Sequence, residues 1–149
     1  MKYTLKTIIN RRRALVAELF DSWEHASQWQ TGFIGHQHLS GTEGSPGAKT
    51  ELTYEIKGRK MTMVETIVKR DLPEVFISQY TTPGMWNEVK IQFEATKDKQ
   101  TTYTVTSEFK GQSIMMKLFI WLAPGQFKKQ TQKMMDDFNH YCTHYKEVG

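Results

Sequence analysis

The sequence has a single cysteine, Cys142, among its 149 residues. One cysteine excludes an intrachain disulfide and a CxxC metal motif, and it makes the reducing cytoplasm the expected compartment. Long hydrophobic runs are missing too. The most apolar window, Ile114–Ala123, contains Lys117 and falls well short of the ~20 residues that cross a bilayer. We therefore expect no stable membrane insertion.

A strong excess of one charge is also absent, since 20 basic residues face 16 acidic ones for a net charge of +4. The one dense basic run is Arg11–Arg13. It offers phosphate contacts to a nucleic acid or a lipid surface, but three arginines without a further basic stripe are better interpreted as a solvated helix face. We expect no nucleic-acid partner. Internal repeats, P-loops and GxSxG motifs are missing, and one domain is predicted over residues 1–149.

Seven segments alternate between apolar and polar residues, which is the period of half-buried β-strands. In Ala48–Lys57, for example, Leu52 and Tyr54 share one face while charged residues occupy the other. One apolar and one polar face are typical of an antiparallel sheet that is covered on one side. The predicted strands are Lys2–Ile9, Phe33–Ser40, Ala48–Lys57, Lys60–Arg70, Glu74–Thr82, Trp86–Thr96 and Gln100–Lys110.

Helical spacing marks the segment between the first two strands. Asn10 is the predicted N-cap of a helix over Arg11–Phe20, and Asp21 or Ser22 is predicted to cap a second short helix. Both helices place apolar residues at helical intervals.

A longer helix is predicted at the C-terminus. Ile114–Leu122 is apolar and predicted to be helical, and Ala123–Gly125 interrupts or kinks the element. The segment beyond carries one apolar stripe at steps of one, three and four residues. The fold class predicted is α+β: a seven-stranded curved antiparallel sheet grips a long C-terminal helix, with two short helices between strands 1 and 2. The stripe consists of Phe127, Thr131, Met134, Met135, Phe138, Tyr141, Cys142 and Tyr145.

This order of elements resembles the helix-grip fold of the START/SRPBCC superfamily over nearly the whole chain. The resemblance includes the Asp21-to-Trp29 segment, the glycine-rich turn Gly41–Gly47 and the Asp71-Leu72-Pro73 turn. At the junction Ile9-Asn10-Arg11, the family often has an apolar-Ala-Pro turn, and this sequence departs from it. The resemblance implies a cavity between sheet and helix that binds apolar or amphipathic molecules, such as lipids or polyketide-like rings. It also implies that a minority of members, such as polyketide cyclase/dehydrase-like proteins, catalyse a reaction there.

The predicted inward face is rich in aromatic and methionine side chains, which suit an adaptable pocket wall but equally fill a solid core. Spacing does not separate these two interpretations. The candidate ligand-binding residues are Leu52, Tyr54, Met61, Met63, Glu65, Ile91, Phe93, Tyr103, Val105, Ser107, Met134 and Phe138.

Glu65 is the candidate catalytic residue, because a carboxyl among methionines has a raised pKa and suits general acid–base work. The alternatives are a register slip that leaves it in water, or a structural pair with an arginine. No cofactor or metal is expected, since His36 and His38 share a strand face but lack a third ligand. Trp23, Trp29 and Trp86 either frame a cavity mouth or simply pack.

Three functions stay open from the sequence. The first is binding of an apolar or amphipathic small molecule without chemistry. The second is a cyclase/dehydrase-type enzyme that uses Glu65 and a tyrosine for proton transfer. The third is a partner-binding protein that makes contact through Arg11–Arg13 or exposed tryptophans.

Overall fold

The structure, a computed structural model, describes residues 1–147. Its strands form one antiparallel sheet in the order β1-β7-β6-β5-β4-β3-β2. All seven predicted strands are present, and no bound differs by more than one residue. The strands are β1 (Lys2–Ile9), β2 (Phe33–Ser40), β3 (Lys49–Ile56), β4 (Arg59–Asp71), β5 (Val75–Thr82), β6 (Met85–Lys97) and β7 (Gln100–Gly111).

Two short helices connect β1 to β2, and two more follow β7, so the predicted α+β helix-grip architecture is confirmed. No helix within residues 1–147 combines the length and the apolar character that crossing a membrane requires. The helices are α1 (Arg13–Phe20), α2 (Trp23–Trp29), α3 (Ile114–Leu122) and α4 (Pro124–His144).

The N-terminus of α1 differs from the prediction. Asn10 is not its N-cap; Arg12 occupies that position without a side-chain cap bond. The reason is competition, because Asn10 Oδ1 accepts a hydrogen bond from Gln100 Nε2 at 3.2 Å instead. Arg11 donates to the backbone oxygen of Tyr145 at 2.9 Å, so the basic run tethers the start of α1 to the end of α4.

Ser22, one of the two residues predicted to cap α2, is its N-cap. Its hydroxyl accepts a hydrogen bond from the backbone N–H of His25 at 3.3 Å. This bond satisfies one of the free amide groups in the first turn of the helix.

The long helix α4 buries one stripe of its surface against the sheet, as the spacing predicts. Thr131, Met135, Phe138 and Cys142 are its buried residues. Ala123 ends α3 and also precedes α4, and Pro124 opens the new helix. Proline suits that position, because the first amide of a helix has no intrahelical acceptor.

The larger apolar cluster lies between α4, α1 and the β1, β6 and β7 side of the sheet. At its centre Phe138 is 0% exposed, and its ring centroid lies 4.8 Å from that of Trp29 and 5.5 Å from that of Tyr103. This end of the molecule is a solid core. The cluster consists of Ile9, Leu15, Val16, Ala17, Leu19, Trp29, Ile91, Phe93, Tyr103, Val105, Met135, Phe138 and Cys142.

A second, smaller cluster lies at the other end of the sheet's inner face. It contains Ala26, Phe33 and Leu52, and the half-buried side chains of Tyr54, Met63 and Tyr80 pack against it. A third cluster, of Ala48, Ile67 and Phe76, shares Phe20 and Leu72 with the larger one. Half-buried side chains surround the smaller cluster, which makes its end of the inner face the more open one.

Candidate functional site

Glu65 lies on the inner face of β4, opposite Thr50 on β3 and Tyr80 on β5. Its side chain is 7% exposed, and the Tyr80 hydroxyl donates a hydrogen bond to Glu65 Oε2 at 2.8 Å. Neither a register slip into solvent nor a pair with an arginine therefore describes this residue. Glu65 is a buried carboxyl with a tyrosine as its hydrogen-bond donor.

Burial dominates the electrostatics around Glu65. It raises the pKa of Glu65, and the hydrogen bond from Tyr80 opposes that shift without reversing it. Burial and the nearby Glu65 charge raise the pKa of Tyr54 to about 12. The same two causes raise the pKa of Tyr80 well above its usual range. Both tyrosines keep their protons at neutral pH, so Glu65 is the one acidic group of the three.

Polar side chains extend from Glu65 across the inner face, and we call Glu65, Ser78, Tyr80, Asn87 and Ser107 the polar belt. Tyr80 is opposite Asn87, whose Nδ2 donates to Ser107 Oγ at 3.0 Å. Ser78 is 1% exposed, and within residues 1–147 its hydroxyl makes no hydrogen bond of good geometry, although it lies near enough to Tyr80 to oppose the rise in that group's pKa. A buried hydroxyl without such a bond carries a desolvation cost that a ligand or a water relieves.

Apolar side chains line the inner face beside the polar belt. Leu52 and Phe33 are buried, and the Phe33 and Tyr54 ring centroids lie 5.5 Å apart. The Tyr54 hydroxyl donates to Gln30 Oε1 at 2.7 Å, which ties this wall to the end of α2. One end of the inner face therefore joins an apolar wall to a row of polar groups.

The predicted ligand-binding residues fall into two groups in the structure. Leu52, Tyr54, Met63 and Glu65 lie together around the smaller cluster, with Ser107 in the polar belt. Met61 shares their face but is 48% exposed near the start of β4. The second group belongs to the larger cluster or packs against it, as Met134 does: Ile91, Phe93, Tyr103, Val105, Met134 and Phe138.

Tyr103 does not join Glu65, although both face inward. It lies on β7, three strands from β4 in the sheet order, and its ring packs against Phe93 and Phe138. The tyrosines that do approach Glu65 are Tyr54 and Tyr80.

Tyr80, Ser78 and Asn87 were not among the residues that the sequence singled out. Alternation along β5 puts Ser78 and Tyr80 on the inner face, so the sequence pattern alone could have placed these two residues there. Their register against β4 depends on an irregularity between Ile67 and Lys69, which local alternation does not show.

The tryptophans do not frame one cavity mouth as a set. Trp86 lies opposite Thr81 and Lys110, with the Lys110 ammonium 4.9 Å from its ring, so it belongs to the outer face. Trp29 is buried in the larger cluster. Trp23 is 37% exposed and stacks on His36 with ring centroids 4.5 Å apart.

Two grooves on the surface of residues 1–147 lie elsewhere than between the sheet and α4. A groove of about 720 Å³ runs between α3 and the first half of α4, past Phe119, Phe127 and Lys133. A second, of about 730 Å³, lies on the polar outer face of the sheet near Lys6, Lys90 and Thr104.

Comparison with known proteins identifies the fold. No protein-family model and no curated protein matches the sequence. Among solved structures, the chain is similar to a START superfamily protein from Mycobacterium smegmatis (TM-score 0.69, 12% identity, 90% of this chain and 93% of that chain). It is also similar to the ginseng major latex-like protein 151 from Panax ginseng (TM-score 0.71, 14% identity, 95% of this chain and 96% of that chain). For a protein from Thermus thermophilus the TM-score is 0.74 and the identity 10%, over 95% of this chain and 97% of that chain.

These likenesses cover nearly the full length of each chain. The protein therefore has the helix-grip fold of the START/SRPBCC superfamily. Identities of 10–14% establish the fold alone.

Proposed function

We propose that the protein binds an amphipathic small molecule at the open end of the sheet's inner face. The observation that carries the proposal is the polar belt, in which Glu65 is buried against Tyr80 and the Ser78 hydroxyl is buried without a hydrogen bond of good geometry within residues 1–147. Small-molecule sites typically combine an apolar wall with a few fixed polar groups. The helix-grip fold of the solved relatives supports the same proposal.

The two ends of the ligand would meet different surfaces. Its apolar part, lipid-like or polyketide-like, would lie against Leu52, Met63 and Phe33. Its polar group would donate a hydrogen bond to the Glu65 carboxyl, or would donate to or accept from the Ser78 hydroxyl. Because apolar clusters pack around Phe138 and around Ile67 and Phe76, the place left for the ligand is the inner face of β3 and the first half of β4.

The first experiment is extraction of the purified protein with organic solvent, followed by mass spectrometry, together with titration of the neutral dye Nile red. We expect a co-purified amphipathic compound, and dye binding that Glu65→Gln and Ser78→Ala weaken. Glu94→Gln and Thr104→Ala, on the outer face, are matched controls and should leave dye affinity unchanged. Absence of any extracted compound, combined with dye binding that is insensitive to Glu65 and Ser78, would refute the proposal.

A second candidate is proton-transfer catalysis of the cyclase/dehydrase type. The contact between the Glu65 carboxyl and a tyrosine hydroxyl at 2.8 Å favours it. Glu65 would accept and return a proton, while Tyr54 would stay protonated and orient a substrate oxygen. Exchange of an acidic C–H of a bound carbonyl compound with D₂O, followed by NMR, tests this. Glu65→Gln should abolish the exchange even at compound concentrations that saturate the variant; exchange that persists would rule out the role.

We propose the cytoplasm as the compartment. Cys142 is buried as a free thiol, and burial raises its pKa to about 12, so it suits neither disulfide exchange nor metal binding.

A further inference from the structure

Helix α3 exposes an apolar surface that the proposed ligand site does not use. Eight of its nine residues are apolar, and Lys117 is the exception. None of the nine is buried. The exposed fractions are 88% for Ile114, 83% for Met115, 76% for Trp121, 65% for Leu122, 52% for Leu118 and 48% for Phe119. Contiguous apolar patches of this kind mark interaction sites on folded proteins.

The helix is nevertheless held firmly to the body of the protein. The Ser113 hydroxyl caps it by accepting from the Met116 amide at 3.1 Å. At Gly111 an added Cβ would lie 2.7 Å from the backbone nitrogen of Lys117, so the helix rests directly on the β7 backbone. The Phe119 ring also meets Phe127 edge-on, with centroids 5.7 Å apart. The apolar face is therefore displayed by a docked helix.

The exposed side chains form one continuous face. At about 100° of rotation per residue, Trp121, Ile114, Leu118 and Leu122 follow one another around the helix. The half-buried residues Met116 and Ile120 lie on the opposite side. A face of this kind fits a broad apolar layer better than it fits a single pocket.

The chain segment around α3 is basic, and two of its lysines have acidic partners just outside it: Lys110 Nζ lies 3.9 Å from Glu108 Oε1, and Lys133 Nζ lies 2.6 Å from Asp137 Oδ2. Residues 109–135 contain five lysines and no aspartate or glutamate, whereas the whole chain has 20 basic and 16 acidic residues. Lys117 lies within α3, and Lys128 and Lys129 are exposed on the first turns of α4. Basic residues beside an apolar helical face are attracted to anionic lipid headgroups.

We propose that α3 is a peripheral membrane-docking helix that binds the surface of a bilayer containing anionic lipids. Its apolar face would enter the headgroup boundary in the plane of the membrane, with Trp121 at the interface, while the lysines contact lipid phosphates. A second copy of the chain fits less well, because a two-fold contact through α3 would bring two sets of lysines together. The inference does not depend on the proposed ligand site.

Vesicle co-sedimentation tests this directly. The probes are vesicles of phosphatidylcholine alone and vesicles with about 30% phosphatidylglycerol. We expect the protein to bind the anionic vesicles, and to lose at least about tenfold in apparent affinity with Trp121→Ala/Leu122→Ala, with Lys128→Gln/Lys129→Gln, or in about 0.5 M salt. Trp121→Phe should bind but lose the blue shift of tryptophan emission on binding.

Matched control variants separate binding through α3 from nonspecific binding by other exposed apolar or basic residues. Ile34→Ala/Leu39→Ala removes exposed apolar residues from β2, and Lys60→Gln/Lys97→Gln removes exposed lysines from β4 and β6. Both should bind as the wild type does. Equal binding by the α3 variants, or no preference for anionic vesicles, would overturn the proposal. So would a dimer in sedimentation velocity that Trp121→Ala/Leu122→Ala dissociates.

Discussion

Glu65 carries its carboxyl into surroundings that disfavour its charge. Its folded pKa is raised by burial, so the folded protein binds this proton more tightly than the unfolded chain does. By linkage, the free energy of unfolding falls as pH rises from the unfolded pKa to the folded pKa, and the loss is complete above the folded pKa. Below the unfolded pKa the carboxyl is protonated in both states, so the ionisation penalty vanishes.

Replacement of Glu65 by glutamine removes this penalty while retaining an oxygen that accepts from Tyr80. We expect the difference in free energy of unfolding between Glu65→Gln and the wild type to grow in favour of the variant from about pH 4 to about pH 7. Urea titrations at both pH values measure the difference. Glu94→Gln, exposed on β6, should show no such gain. A variant that loses stability on going to neutral pH would mean that a cationic group stabilises the Glu65 charge.

Phe138 contributes to stability through packing. It is fully buried among aromatic rings, so its removal leaves a cavity that rigid neighbours cannot close. Phe138→Ala should lower the free energy of unfolding by about 3–5 kcal/mol in a denaturant titration. Leu122→Ala, 65% exposed, should change it by less than about 0.5 kcal/mol. A small loss at Phe138 would mean that this end of the molecule is open and not solid.

At the scale of the element, the seating of α3 on β7 depends on a missing side chain. A Cβ at Gly111 would lie 2.7 Å from Lys117 N and 3.0 Å from Met116 C, both backbone atoms. Gly111→Ala must therefore displace the helix, and we expect a loss of about 1–3 kcal/mol by thermal or urea unfolding. At Gly125 nothing lies within 4 Å of an added Cβ. Gly125→Ala should be neutral or stabilising, and a similar loss at both sites would contradict this account.

The elements also show how far local sequence patterns reach. Strand bounds followed alternation to within one residue, because alternation reports directly which side chains face the core. The cap of α1 did not follow the local pattern. Asn10 suits an N-cap by type, but a partner on β7, Gln100, takes its side-chain oxygen. A capping preference is worth about 1 kcal/mol, so one tertiary hydrogen bond can outweigh it.

At the scale of the whole molecule, Cys142 reports global opening. Its thiol is 0% exposed and packed in the larger cluster, with a pKa raised to about 12 by burial. A thiol reagent should label it only when the core opens. If Phe138→Ala lowers stability as expected, labelling at neutral pH should speed up on the order of 10²–10⁴-fold. Labelling that is fast in the wild type would show that α4 detaches locally.

By itself the sequence determined the strands, the break at Ala123 and the side of the sheet that each residue faces. These follow from periods of two and 3.6 residues, which act between near neighbours. Only the tertiary structure decided that Glu65 meets Tyr80 and not Tyr103, because sheet order and strand register set which inward residues become neighbours. It also decided the exposure of α3. The apolar run predicts a helix, but how much of that helix the sheet and α4 cover depends on contacts between distant parts of the chain.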